Sequence, residues 1–103
     1  MRSIAIALGV AGAALLSTAA HASEELVRKH GCMACHTLER KMVGPAFRDI
    51  ATKYRDDKAA APKLLEKVKK GGAGVWGPVP MPPHAQVPDA DLQAVVKWLL
   101  STK

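Results

Sequence analysis

The feature that most constrains this chain is the run Cys32-Met33-Ala34-Cys35-His36, because it contains every cysteine in the sequence. A disulfide between the two cysteines would close a very small loop and add little stability. A thioredoxin-like redox pair needs a neighbouring βαβ unit, and no convincing strand flanks the run. A zinc site needs two further ligands, and there is no second cysteine pair or paired histidine to supply them. Each of these alternatives leaves part of the run unexplained.

Covalent attachment of one haem c explains every position of the C-x-x-C-H run together. The two thiols are spaced along one helical turn, so each can add to one vinyl group of the porphyrin. The adjacent imidazole then projects over the same ring and binds the iron. A chain of 103 residues allows one domain. Because so small a domain buries little apolar surface, it needs a covalent link or a bound group to be comfortably stable. The run therefore predicts one haem c, bound through Cys32 and Cys35, with His36 as an iron ligand.

Residues 1–22 have the composition of a cleaved secretory signal peptide. Arg2 gives a positive start, an apolar stretch runs from Ile4 to Leu16, and residues 20–22 place small side chains where a signal peptidase cuts. The apolar stretch is shorter than the roughly 20 residues that span a bilayer, although a retained membrane anchor is the alternative. We therefore expect a mature domain of residues 23–103, exported to the periplasm.

Met81 is the favoured second axial ligand for the iron. Met33 lies inside the attachment run, and Met42 follows His36 too closely to reach the opposite face of the ring. Met81 lies far enough along the chain, within a proline strap at residues 78–83. Prolines fix φ and favour a stiff, extended path without internal hydrogen bonds, which would hold a thioether against the ring. Two alternatives remain.

The first alternative is that His84, just beyond the proline strap, binds the iron in place of Met81. The second is that Met81 is an ordinary packing residue, since methionine commonly fills gaps in protein cores. His30 lies on the same side of the attachment run as His36, and we expect it to be a surface histidine.

Hydrophobic periodicity predicts short helices joined by glycine and proline, with no convincing strand. Ser23 is the predicted N-cap of the first helix. The four helices are predicted from Ser23 to near Gly31, from Ala46 to Tyr54, from Pro62 to the Lys69-Lys70-Gly71-Gly72 run, and from Pro88 through Leu100. The predicted fold class is all-α, with about four short helices wrapped around one haem.

The mature chain resembles the class I c-type cytochromes, specifically the small monohaem bacterial periplasmic proteins of the c-551/c-552 type. The resemblance runs nearly end to end, and a Trp-Gly-Pro-Val-Pro-Met-Pro-Pro sequence points to this subgroup. The motifs that carry it lie at residues 29–36, 42–47, 74–83 and 97–100.

The resemblance implies roles for several further residues and a packing of the first helix against the last. The carbonyl of Pro45 is expected to accept a hydrogen bond from the outer nitrogen of His36. Trp76 is expected to donate its indole N–H to a haem propionate, and Lys67 to neutralise the propionates. Where close relatives have an amide beside the methionine sulfur, this chain has His84, which is a departure from the family pattern.

The resemblance also implies the function of a periplasmic single-electron carrier rather than an enzyme. An iron with both axial positions filled has no vacant site for a substrate, and methionine ligation raises the reduction potential. The implied partners are a quinol-oxidising cytochrome complex upstream and a nitrite reductase or terminal oxidase downstream. The alternatives are a five-coordinate haem sensor or gas-binding protein, and a peroxidase.

The net charge of +6 predicts a partner with an acidic docking surface. Nucleic acid is excluded as a partner by export, and contact with an anionic membrane surface would be loose at most. We expect a monomer. Two groups of basic residues carry this prediction: Arg28, Lys29, Arg40 and Lys41 beside the attachment run, and Lys63, Lys67, Lys69 and Lys70 on the third helix, with only Glu66 among them.

Overall fold

A computed structural model describes residues 21–103, and the predicted signal peptide lies outside the described residues apart from its last two. Within that range the chain forms four α-helices and one short 3-10 helix, and it has no strand. The only strand-like pairing described is an isolated antiparallel bridge between Gly72 and Met81. The all-α prediction is confirmed. The elements are α1 at residues 21–29, the 3-10 helix at Cys32–Ala34, α2 at Phe47–Lys53, α3 at Ala60–Lys70 and α4 at Asp89–Ser101.

The helix boundaries follow local signals in the sequence. Pro62 lies in the first turn of α3, where its missing N–H costs nothing, and Gly71 ends that helix with a φ of 69°. Pro88 is the N-cap residue of α4, with Asp89 and Asp91 in the first turn beside the positive end of the helix dipole. The prediction that Ser23 caps α1 is wrong for the full-length chain, because the backbone is already helical at residue 21.

One small hydrophobic core joins all four helices, as the predicted packing of the first helix against the last requires. Helix α4 runs through its centre and contacts both α2 and α3. Val27 from α1 has no exposed surface at all. The buried cluster comprises Val27, Phe47, Ile50, Leu64, Val95, Val96 and Leu99.

Polar contacts also join the start of α4 to the end of α1 and to α3. His30, just past the end of α1, lies with Nε2 3.0 Å from Oδ2 of Asp91. Its side chain is only 16% exposed, so the prediction of a surface histidine is wrong. Lys69 of α3 forms an ion pair with Asp89. None of the helices described between residues 21 and 103 has the length and apolar character needed to cross a membrane.

Val27→Ala should destabilise the haem-loaded protein by about 2 kcal/mol, because it removes two buried methyl groups and leaves a cavity. For a domain of this size, that corresponds to a fall of roughly 10 °C in the thermal midpoint, measured by circular dichroism. Leu38→Ala is the control, since Leu38 is 42% exposed and should change the midpoint little. Equal losses in the two variants would contradict a core centred on α1 and α4.

Candidate haem site

The two cysteines lie on a single tight turn that follows α1. Gly31 adopts a left-handed φ of 75°, which ends α1 and starts the 3-10 helix. The amides of Cys35 and His36 both donate to the carbonyl of Cys32, at 3.2 and 3.0 Å. Both cysteines are half-buried. The turn therefore presents two thiols and the following imidazole from one short segment.

His36 is buried, and its ring orientation is fixed by two contacts. Its Nδ1 lies 2.7 Å from the carbonyl oxygen of Pro45. Because a carbonyl can only accept, Nδ1 must carry the proton, which leaves the lone pair of a neutral ring on Nε2. No hydrogen-bond partner for Nε2 is found in the described part of the chain. The ring also stacks on Phe47, with centroids 5.2 Å apart. The imidazole is thus presented as a metal ligand through Nε2.

Gly44 lets the backbone pass directly over the His36 ring. A Cβ atom at this position would lie 2.8 Å from Nδ1 and 3.0 Å from Nε2, closer than packed atoms approach. The Gly44 amide donates to the carbonyl of Cys35 at 2.8 Å, which holds this loop against the attachment turn. The resemblance led us to expect the Pro45 contact with the imidazole, whereas the close approach of Gly44 to the ring was not predicted.

All seven residues predicted for the site line one cavity of about 290 Å³. His84, Met33 and Met42, which were weighed as other ligands, are not among its lining residues. Much of the remaining wall is apolar and comes from α2, α3 and α4. The cavity is thus lined by two thiols, one imidazole and one thioether. This set of side chains fits haem c. The seven residues are Cys32, Cys35, His36, Pro45, Lys67, Trp76 and Met81.

The strap that carries Met81 ends a loop that is closed by an antiparallel bridge between Gly72 and Met81. Gly72 and Met81 exchange two backbone hydrogen bonds, of 3.0 and 2.8 Å. Between them, the Gly74 amide donates to the carbonyl of Gly77 at 2.9 Å. His84 lies beyond this loop, with its Nδ1 3.0 Å from the carbonyl oxygen of Pro82. Within the described range no backbone hydrogen bond joins two residues of the strap at 78–83, as predicted, and the bonds that close the loop involve glycines that precede the strap.

Burial raises the pKa of the Cys32 thiol, an effect partly offset by a hydrogen bond from its own backbone N–H. No group of three or more histidine, cysteine, aspartate or glutamate side chains within residues 21–103 could hold a metal ion. Within that range the zinc alternative therefore lacks the further ligands that it requires.

The rim of the cavity combines exposed apolar side chains with a few charges. Trp76 is 41% exposed, and the Lys53 ammonium lies 5.6 Å from the centroid of its ring. Lys53 was not predicted as a site residue, because it precedes Trp76 by a long stretch of chain. The charged residues in the cavity wall are Lys41, Asp49 and Lys67.

Most of the basic residues predicted to cluster on the third helix are paired with carboxylates. Lys63 binds Asp57 at 2.7 Å, Lys70 binds Glu66 at 2.7 Å, and Lys69 binds Asp89. Helix α3 therefore carries less uncompensated charge than its sequence indicates. Lys41 and Lys67, which line the cavity, have no carboxylate partner in the described range, so part of the uncompensated positive charge lies beside the cavity.

Comparison with known proteins agrees with this geometry. The family model for cytochrome c matches residues 20–103. Cytochrome c-552 of Nitrosomonas europaea is 48% identical over 93 residues, which cover 90% of this chain and 90% of that protein. Cytochrome c-551 of Allochromatium vinosum is 55% identical over 75 residues, covering 73% of this chain and 80% of that protein.

A solved structure shows the same fold. The crystal structure of wild-type Nitrosomonas europaea cytochrome c552 superimposes with a TM-score of 0.75 at 50% identity. The match covers 78% of this chain and 99% of that one.

The two thiols should both be consumed by attachment of one haem. Mass spectrometry of the protein from a host with haem-attachment machinery should show the chain plus one haem and no thiol that reacts with alkylating reagents. Replacing both Cys32 and Cys35 with alanine should abolish stable folding, because the group that fills the cavity would be lost. Two reactive thiols in the native coloured protein would contradict covalent attachment.

Proposed function

We propose that this chain, which belongs to the cytochrome c family, carries single electrons between proteins of the bacterial periplasm. Its cofactor is haem c, bound covalently through Cys32 and Cys35. The haem, when bound, supplies a ferric/ferrous couple that accepts and donates one electron. The periplasmic location rests on the signal-peptide composition of residues 1–22.

In this proposal His36 and Met81 are the two axial ligands of the iron. The observation that carries it is that both residues line the same apolar cavity as the two cysteines. His36 offers Nε2 because its Nδ1–H donates to Pro45. That bond also fixes the ring plane and raises the basicity of the ligating nitrogen. Met81 offers a neutral thioether, which stabilises the ferrous state and raises the reduction potential.

An electron carrier fits this site better than an enzyme or a sensor. With His36 and Met81 both bound, neither oxygen, peroxide nor another substrate has a free coordination position. A sensor or peroxidase needs a ligand that leaves readily, whereas the backbone of Met81 is held by two hydrogen bonds to Gly72. The apolar wall favours the less charged ferrous form, which again raises the potential.

Met81→Ala should let the ferrous protein bind carbon monoxide and should lower the midpoint potential by on the order of 0.1 V, within the roughly 0.8 V range that axial ligands set. Met42→Ala is a matched control, because Met42 is 50% exposed and does not line the cavity. Visible spectra and a redox titration measure both effects. A sulfur-to-iron charge-transfer band that survives in ferric Met81→Ala would contradict ligation by Met81.

The proposed partners are redox proteins with an acidic docking surface, reached through the face that contains the cavity mouth. By family resemblance these are a quinol-oxidising cytochrome complex as donor and a nitrite reductase or terminal oxidase as acceptor. Lys41 and Lys67 at the cavity wall, with Lys53 over Trp76, supply positive charge there. Long-range attraction speeds the encounter and aligns the site without requiring a large interface, so the partner can leave after transfer.

The second-order rate constant for electron transfer to the partner should fall as salt rises, because the Debye length is only about 10 Å at 0.1 M salt. Lys41→Gln should lower the low-salt rate several-fold, as expected for loss of one steering charge at the docking face. Lys70→Gln is the control, since Lys70 is paired with Glu66 and does not line the cavity.

Stopped-flow measurements over a range of salt concentrations make this comparison. A rate constant that is flat or rising with salt would contradict electrostatic docking and indicate contact through the exposed apolar rim. The residues of that rim are Val43, Val75, Trp76 and Val79.

A further inference from the structure

The backbone on both sides of the Met81 side chain is attached to the end of α3. The Gly72 amide donates to the Met81 carbonyl at 3.0 Å, and the Met81 amide donates to the Gly72 carbonyl at 2.8 Å. Further along, the His84 amide donates to the carbonyl of Val68 at 2.9 Å, within the last turn of α3. Both backbone polar groups of Met81 are therefore used in one bridge.

The bridge requires the strap to pass very close to the residue that ends α3. Gly71 has a φ of 69°, a left-handed conformation that residues with a Cβ rarely adopt. A Cβ there would collide with the Met81 carbonyl oxygen and lie 2.9 Å from both the Pro82 carbonyl carbon and the Pro83 nitrogen. These are backbone atoms of the strap, so a side chain at position 71 would have to push the strap away.

A side chain at the neighbouring glycine, Gly72, would meet less steric resistance than one at Gly71. Gly72 also has a positive φ, of 136°, but a Cβ there would meet only the side chain of Lys67, with its Nζ at 2.9 Å. The end of a lysine side chain can move aside at little cost. The steric restriction on the Met81 backbone is therefore concentrated at Gly71.

The prolines of the strap cannot supply this restriction. Proline fixes φ within its own segment, which makes the strap stiff. It does not determine how far the strap lies from α3, and that distance decides where the thioether is held. Contact with Gly71 limits that distance, because the Met81 carbonyl oxygen and the Pro82–Pro83 peptide lie directly against it.

We propose that Gly71 is a positioning residue for Met81, and that its close contact with the strap backbone at residues 81–83 sets how readily the thioether is displaced from the iron. This proposal rests on the proposed ligation by His36 and Met81. It assigns control of ligand retention to a residue that makes no contact with the iron and carries no side chain.

Gly71→Ala tests the proposal, with Gly74→Ala as its control. Gly74 lies in the same loop and has a φ of 106°, but a Cβ there meets nothing within 4 Å. Both variants carry the strain of alanine at positive φ, and only Gly71→Ala should move the strap. The probe is imidazole, which binds ferric iron only when the thioether has left.

Imidazole titration of the ferric holoproteins should show about tenfold tighter binding to Gly71→Ala than to wild type, because the displaced state is about tenfold more populated. Gly74→Ala should stay within about twofold of wild type, since it keeps the contact with the strap. The midpoint potential should fall in Gly71→Ala alone. Equal changes in the two variants would overturn the proposal and indicate general loosening of the loop.

Hydrogen exchange on the wild-type holoprotein keeps the proposal testable if Gly71→Ala does not fold. The amides of Met81 and Gly72 should exchange more slowly than those of Ala73 and Val75, for which no hydrogen bond is found in the described range. Equally fast exchange at all of these amides would overturn the proposed attachment. A wild-type ferric protein without a sulfur-to-iron charge-transfer band would instead overturn the ligation itself, which distinguishes the two failures.

Discussion

The hydrogen bond between His36 and Pro45 is the interaction on which the site depends. His36 is the one buried polar side chain among the described residues, and burying an imidazole without a partner would be costly. The Pro45 carbonyl removes that cost at one nitrogen and leaves the other free for iron. Gly44 and Phe47 close around the ring, so the loop before α2 and the first residue of α2 are both shaped by this one side chain.

The rest of the fold forms the remaining wall of the site, because the short helices pack around one shared cavity. Helix α4 provides much of the core that keeps α1, α2 and α3 together. Helix α3 contributes part of the cavity wall and ends at the glycine pair that holds Met81. The proposed electron carrier must keep the same ligands in both oxidation states, and the hydrogen bonds that attach Met81 next to the end of α3 would serve that need.

Much of this arrangement could be predicted from the sequence, because its signals are local. The C-x-x-C-H run predicts the cofactor, and apolar spacing predicts α2, α3 and α4 to within two residues or so. The placement of Met81 in the cavity wall agrees with its prediction as a ligand, which still awaits a direct test. What could not be predicted depends on residues far apart in the chain.

The pairs His30–Asp91, Lys69–Asp89 and Gly72–Met81 form only after the chain has folded. No local pattern marks these contacts, which is why a surface histidine and a free lysine cluster were expected and the attachment of the strap to Gly72 was not predicted.

Iron-edge X-ray absorption of the ferric and ferrous holoprotein tests the central claim most directly, because it reports the atoms bound to iron. The account predicts one sulfur ligand in both oxidation states, with nitrogen at every other position of a six-coordinate iron. A shell of nitrogen alone would indicate a second histidine such as His84, and a five-coordinate iron would indicate a sensor or an enzyme. Either result would contradict ligation by His36 and Met81.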